Sequence, residues 1–235
     1  MSAAETVEPS QLVFDLPHRQ AQGMEDFLLS RSNAVAVELV DRWPDWVHPA
    51  AVVCGPAGAG KTHLAHVWAA RSGAGLLAAS DLSDASVEVL AGQGRLVVED
   101  IDRDDFDERV LFHLINLTRE KGYSLLITSR VAPGELSIAL PDLRSRLRAL
   151  PLAAIAAPDE ALLRAVLVKL FADRQLDVEP HVIGYLALHM EQSMQAANAV
   201  VAAADRLALA RQRRVSRAVA AEALASLETT GGTDG

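Results

Sequence analysis

The sequence predicts an α/β fold: a parallel β-sheet sandwiched by helices, followed by a smaller all-helical domain. Three observations carry that prediction. Short, unbroken apolar runs alternate with helical patterns through about residue 157, the rhythm of parallel strands joined by crossover helices. A glycine-rich turn joins the first of the buried runs to a helix. Beyond Pro158 the apolar residues recur only at helical spacing.

Composition agrees with this and narrows the function classes. With 235 residues, 50% apolar and 23% charged, the chain can form one sizeable core and a smaller companion. Aromatics are only 4%, so Ala and Leu fill much of the apolar quota, which favours helix-rich packing. The formal charge is −9, from 22 basic and 31 acidic residues. That argues against duplex DNA as the main partner, because such modules carry a basic footprint. The single cysteine, Cys54, excludes an internal disulfide framework and a cysteine-based zinc cage. No run of about 18 uncharged apolar residues occurs, and the acidic N-terminus lacks a signal-peptide core. A soluble, cytoplasmic protein with no membrane contact is expected.

Residues 1–19 read as a flexible tail, small and polar up to Ser10 and then changing to QLVFDLP. Leu12, Phe14 and Leu16 alternate, so an extended backbone puts all three on one face, and Pro17 ends the run. Two readings fit them. They could form the first strand of a sheet, or a free peptide laying an apolar strip into a partner's groove, with Gln11 supplying directional hydrogen bonds. The α/β domain occupies 20–157. Ser32 is placed to cap a helix over about 33–43. Strands are expected at about 51–54, 75–79, 96–98 and 125–128, each continuous enough to be buried on both faces, with a further short one at 149–152. Helices are expected from Lys61 and over 83–91 and 105–121. The second domain, 158–227, holds helices at about 159–174, 180–189, 193–213 and 216–227, and 228–235 form a frayed tail.

The strongest chemical signal is Gly55-Pro56-Ala57-Gly58-Ala59-Gly60-Lys61-Thr62, a full match to GxxxxGK[ST] between a strand and a helix. Backbone amides of such a turn wrap phosphate oxygens, and the helix N-terminus adds a favourable dipole. Lys61 is positioned to neutralise the β and γ phosphates, and Thr62 to ligate magnesium. A carboxylate at the end of a neighbouring strand is the second requirement, and the run LVVED supplies Glu99 and Asp100. Asp usually stands at the metal position. Glu99 reaches one methylene further, and magnesium tolerates little distortion, so binding should survive while hydrolysis slows. Asp100 is the candidate for orienting water. The bland reading is a solvated acidic turn, since Asp102, Asp104, Asp105 and Asp107 follow.

The run LLITSR ends a buried strand in hydroxyls, and Thr128 and Ser129 are candidate γ-phosphate sensors or plain turn formers. The segment LPDLRSRL starts a helix at Pro141 and presents Arg144, Arg146 and Arg148. Arg146 is assigned as an arginine reaching a neighbour's phosphate; the rival reading is a solvated basic face. Several other residues attract plainer readings. Arg206, Arg211, Arg213, Arg214 and Arg217 suit a solvated helix end, and His63, His66 and His113 suit packing or surface positions. Cys54 suits the core, and Trp43 and Trp46 suit the edge of the nucleotide domain.

Together GPAGAGKT, LVVEDID, LLITSR followed by a proline, and LPDLRSRL resemble the AAA+ core of the bacterial replication initiator DnaA. The stretch FLLSRSN, 27–33, is similar to that family's opening segment, which packs near the adenine. The resemblance covers about 27–227. The chain stops before a helix-turn-helix domain could fit, and so resembles the shorter Hda-type relatives of DnaA.

The resemblance implies an AAA+ P-loop sheet with a helical lid, binding ADP or ATP with Mg2+. It also implies a negative regulator of replication initiation whose partners are DnaA and the sliding clamp (beta subunit) of DNA polymerase III. Gln11, Leu12, Phe14 and Leu16 would dock on the clamp, and Arg146 would act in trans on DnaA-bound ATP. No sequence-specific DNA binding is implied, and a homo-oligomer is left open. The sequence departs from the family pattern at Arg130, where an Asp is usual, and at Gln195, where the lid carries an arginine. With Glu99, these departures point to weak or no intrinsic ATPase. The alternatives are a helicase loader, a DnaA-like DNA-associated ATPase and, less well matched, a small-molecule P-loop kinase.

Overall fold

Each strand of the sheet is short and apolar enough to be defined by its neighbours. In the computed structural model, which describes residues 28–231 except 104 and 212, the strands are β1 (Ala50–Cys54), β2 (Gly75–Ala78), β3 (Arg95–Glu99), β4 (Ser124–Ser129) and β5 (Leu152–Ala154). All pair in parallel, in the order β2-β3-β4-β1-β5. The fourth strand in sequence therefore inserts between the first and third, with Thr128 beside Val53 and Ile127 beside Val98. Gln11, Leu12, Phe14, Leu16 and Phe27 lie outside the described residues.

Only the three central strands are buried on both faces. The expectation of full burial fails for β2, an edge strand whose residues alternate between half-buried and exposed. The fifth strand starts at Leu152 and not at 149, because α5 (Pro141–Ala149) continues through Ala149. Pro151 then lacks the N–H a ladder needs, and only its carbonyl takes part, accepting the Val52 N–H at 2.9 Å.

Side-chain alternation divides the sheet between two layers of helices. Ala51, Val53, Val97, Leu126 and Ala153 face α1 (Ala34–Asp41) and α2 (Lys61–Ser72). Val52, Leu96, Val98, Leu125 and Ile127 face α3 (Asp84–Gln93), α4 (Glu108–Lys121) and α5. Trp68 of α2 is fully buried, with Trp46 stacked on it at 5.3 Å and Trp43 edge-on at 6.0 Å. The first helix begins one residue later than expected, with Asn33, not Ser32, at the cap position. Asn33 turns its amide back onto the preceding loop, accepting the Ser30 N–H and donating to the Leu28 carbonyl, each at 2.8 Å. The Ser32 carbonyl instead accepts the Ala156 N–H at 2.9 Å.

A separate core, drawn from residues 163–227, joins α6 (Glu160–Asp173), α7 (Pro180–His189), α8 (Met194–Arg211) and α9 (Arg217–Gly231). Asp159 caps α6 by accepting the Leu162 N–H at 2.7 Å, and Ser193 caps α8 by accepting the Ala196 N–H at 3.0 Å. Part of the late basic cluster is structural: Arg211 pairs with Glu222, and Arg217 lies over the Tyr185 ring at 4.8 Å. No helix among the described residues is long and apolar enough to cross a membrane.

Leu126 is fully buried in the central layer. Leu126→Ala is expected to cost about 2–5 kcal/mol of stability, read as a lower urea midpoint at unchanged m value.

Candidate nucleotide site

The carboxyl ends of β1, β4 and β3 lie side by side, and the candidate site opens beyond them, where open parallel sheets bind ligands. The turn after β1 depends on glycine for two different reasons. Gly58 (φ +70°) and Gly60 (φ +103°) hold left-handed backbone, which side chains resist. A Cβ on Gly55 would come within 2.2 Å of the Ile155 carbonyl oxygen. The second helix starts at Lys61, so loop amides and a helix N-terminus converge on one concavity. Lys61 is only 6% exposed, and its Nζ donates to the Gly55 and Pro56 carbonyls at 2.7 and 3.0 Å. Burial pushes its ammonium below the ordinary lysine range; Asp100 and Asp102 pull it up, and Arg130 pushes it down. Thr62 is exposed on the first turn of α2.

The ends of β3 and β4 supply the acidic wall. Glu99 and Thr128 follow Val97 and Leu126 by two residues, which puts both on the α2 side of the sheet. Glu99 is 8% exposed, and its Oε1 has no hydrogen-bond partner among the described residues. A buried carboxylate oxygen left open in this way suits a cation or a donor brought by a ligand. The Thr128 hydroxyl is fully buried and accepts the Asp100 N–H at 3.0 Å. Asp100 has φ +58°, a left-handed conformation that Asp tolerates better than most residues, and its carboxylate pairs with Arg103 at 3.3 Å. Asp102 accepts the Arg130 N–H at 2.7 Å, with the Arg130 Nε 3.9 Å from its other oxygen. This is not a freely solvated acidic turn: Asp100 and Asp102 are each engaged by an arginine.

A cleft of about 290 Å³ adjoins the cradle. It is lined by Leu28 and Asn33, by Gly60 and His63, by Val166, Lys169, Leu170 and Asp173 of α6, and by Met194 and Asn198 of α8. Its mixed lining and size suit a small ligand such as a nucleoside. The helical domain touches the cradle directly. The Met194 N–H donates to the Gly58 carbonyl at 2.8 Å, and a Cβ on Gly58 would meet the Ser193 Cβ at 2.5 Å.

Met194 and Asn198 share one face of α8 at i,i+4 spacing. In the resembled family the lid position that Gln195 occupies senses the nucleotide, which would put the Gln195 amide on it. Gln195 is instead rotated about 100° from Met194 and is exposed on a separate groove with Met190, Leu224 and Leu227.

Arg146 does not line the cleft. In α5, Arg144 donates to the Ile138 carbonyl and Arg148 to the Gly134 carbonyl, each at 3.2 Å. Arg146, half-buried, has no partner among the described residues. Glu108 fixes the start of the helix by accepting the Ala139 and Leu140 N–H groups at 2.8 and 2.6 Å. Cys54 is buried, and burial, with the Glu135 charge, pushes its thiol up.

Among the described residues no group of three or more His, Cys, Asp or Glu side chains could hold a metal by itself. Magnesium in a phosphate cradle does not need one, because phosphate oxygens and water complete its shell. Thr62 and Glu99 are the side chains that could contribute. The cradle, the buried lysine, the open Glu99 oxygen and the adjoining cleft fit a nucleoside phosphate. Sequence reasoning identified the cradle and β-strand residues but missed His63, Lys169, Met194 and Asn198, for which only the helical spacing of the last two was a signal.

No family model matches the sequence, and no curated protein matches it. The fold does match solved structures. Domain III of the replication initiation protein DnaA from Thermotoga maritima superposes with a TM-score of 0.73 at 17% identity, covering 86% of this chain and 95% of that one. The RuvB Holliday junction branch migration motor of T. maritima matches with a TM-score of 0.65 at 16% identity, over 82% of this chain and 67% of that one. AMPPCP-bound DnaA from Aquifex aeolicus gives 0.62 at 20% identity, over 78% and 63%. The chain has the α/β AAA+ fold: a parallel sheet flanked by helices, followed by a mostly helical region.

Gly58→Ala places a methyl group into Ser193 and strains a left-handed position. The variant is expected to lose most of the thermal stabilisation that added MgATP gives the wild type. Gly134→Ala, where nothing lies within 4 Å of a Cβ, should keep it. Tm measured with and without nucleotide checks both.

Proposed function

We propose that the protein is a nucleotide-bound regulator of chromosomal replication initiation that activates hydrolysis of ATP held by DnaA and turns over little nucleotide itself. The observation that carries this reading is the state of α5: its two flanking arginines are engaged by backbone carbonyls, and Arg146 between them is left without a partner among the described residues. A guanidinium on a helix with a fixed start can enter a neighbouring subunit's site and stabilise charge on a transferring phosphoryl group, an effect worth about 10³–10⁵ in rate. The DnaA-like fold supports the choice of neighbour.

The same reading accounts for the chain's own site. ADP or ATP, with Mg2+ near Thr62 and Glu99, would supply charge that orders the cradle. Asp100, the candidate for orienting water, is held by Arg103, and its amide is anchored on the Thr128 hydroxyl. A base paired with a cation is a poor acceptor of a proton from water. The bound nucleotide then shapes a surface. Gln11, Leu12, Phe14 and Leu16 tether the protein to the sliding clamp, which raises its local concentration beside newly replicated DNA in the cytoplasm.

The test uses DnaA loaded with labelled ATP, clamp on DNA, and this protein. Conversion to ADP is expected with wild type and with Arg148→Ala, and is expected to fall by at least about a hundredfold with Arg146→Ala. Equal stimulation by Arg146→Ala removes Arg146 from the mechanism. In a clamp pull-down, the Gln11→Ala, Phe14→Ala double variant is expected to lose capture. Capture that is unchanged, combined with salt-sensitive binding of the wild type to DNA, favours a loader or DNA-associated ATPase instead.

A further inference from the structure

We propose that Arg130 is a triphosphate-sensing residue of the cradle, which Asp102 holds in place and releases to a γ-phosphate. This rests on the nucleotide reading of the site and adds to it a residue and a selectivity. The fourth strand lies between β1 and β3, so Arg130, which follows its last residue, emerges at the mouth of the site. The carbonyl of Ser129 accepts the Gly55 N–H at 3.1 Å, which fixes the backbone before Arg130 to the first glycine of the cradle. Asp102 then fixes Arg130 itself, accepting its N–H at 2.7 Å.

The guanidinium is held much less firmly than the backbone. Its Nε is 3.9 Å from Asp102, and the side chain is 42% exposed. An ion pair this long and this open is weak, and it leaves most of the five N–H donors of arginine unused. The head belongs to the same electrostatic neighbourhood as Lys61, whose ammonium responds to Asp100, Asp102 and Arg130 together.

Other groups that could sense a third phosphate are paired, turned away or uncharged. Arg103 is paired with Asp100, Gln195 faces a different groove, and the Thr128 hydroxyl, which accepts the Asp100 N–H, keeps one O–H to donate but brings no charge. A γ-phosphate offers a planar fork two or more strong acceptors, against one distant carboxylate oxygen in Asp102. A diphosphate does not reach that position and leaves the Arg130–Asp102 pair intact. Arg130 thereby makes the cradle distinguish ATP from ADP without help from the lid.

The experiment is a titration of the full chain, with magnesium, against fluorescent ADP and a fluorescent β,γ-methylene analogue of ATP. Arg130→Ala is expected to weaken the triphosphate by about tenfold or more while leaving ADP within about twofold. Asp102→Asn keeps an acceptor for the Arg130 N–H and frees the guanidinium, so the triphosphate should tighten relative to ADP. Arg130→Ala that melts like wild type and changes both affinities equally, or neither, overturns the proposal. If that variant does not fold, Asp102→Asn decides, and an unchanged ratio of affinities overturns it. A wild type that binds neither nucleotide overturns the nucleotide reading itself, a result distinct from tight binding without Arg130 dependence.

Discussion

The placement of β4 between β1 and β3 is the constraint on which the rest depends. Parallel pairing on both sides brings three carboxyl ends together, and a single hydrogen bond from the Gly55 amide to the Ser129 carbonyl ties the phosphate turn to the inserted strand. The chemical groups then follow from register. Glu99 and Thr128 fall on the face that carries α2, and Asp100 must turn left-handed to give its amide to Thr128. A one-residue slip would send Glu99 to the opposite face, away from Lys61.

The helical domain approaches this arrangement closely at Gly58. Gly58 has no side chain, which allows Ser193 to pack against it and Met194 to donate to its carbonyl. The glycine turn after β1 is therefore also the turn against which α8 begins. Met194, bonded to Gly58, and Asn198 one turn later are among the residues that line the cleft. Few other contacts between the two units are needed, because each keeps its own buried core.

Much of the fold and the centre of the site were legible in the sequence because they are set by local rules. Continuous apolar runs identified β1, β3 and β4, whose burial on both faces allows no alternation. The glycines of 55–60 were readable because only glycine accepts those conformations and that proximity. What could not be read is set by tertiary geometry. Edge position exposes β2 in spite of its apolar sequence, and the length of α5 decides where β5 begins. The choice of Met194 and Asn198 over Gln195 depends on how the helical domain is rotated about its own axis, which no local pattern records. The pairing of Asp102 with Arg130 spans 28 residues and becomes visible only when β3 and β4 are adjacent.

The departure at Arg130 is matched by an acid within reach of it. Where the resembled family carries an acid after the sensor hydroxyl, this chain carries Arg130, and it also carries an acid, Asp102, to receive it. An arginine inserted alone beside Lys61 would repel the ammonium at the position where burial already disfavours it. Asp102 offsets that repulsion, and Asp100 does the same for the Arg103 charge. The acidic run after β3 thus balances the cations around the cradle, with Asp100 paired to Arg103 and Asp102 to Arg130. Under the proposed function, a site with its cations balanced in this way holds nucleotide while Arg146, on α5, stays without a partner among the described residues.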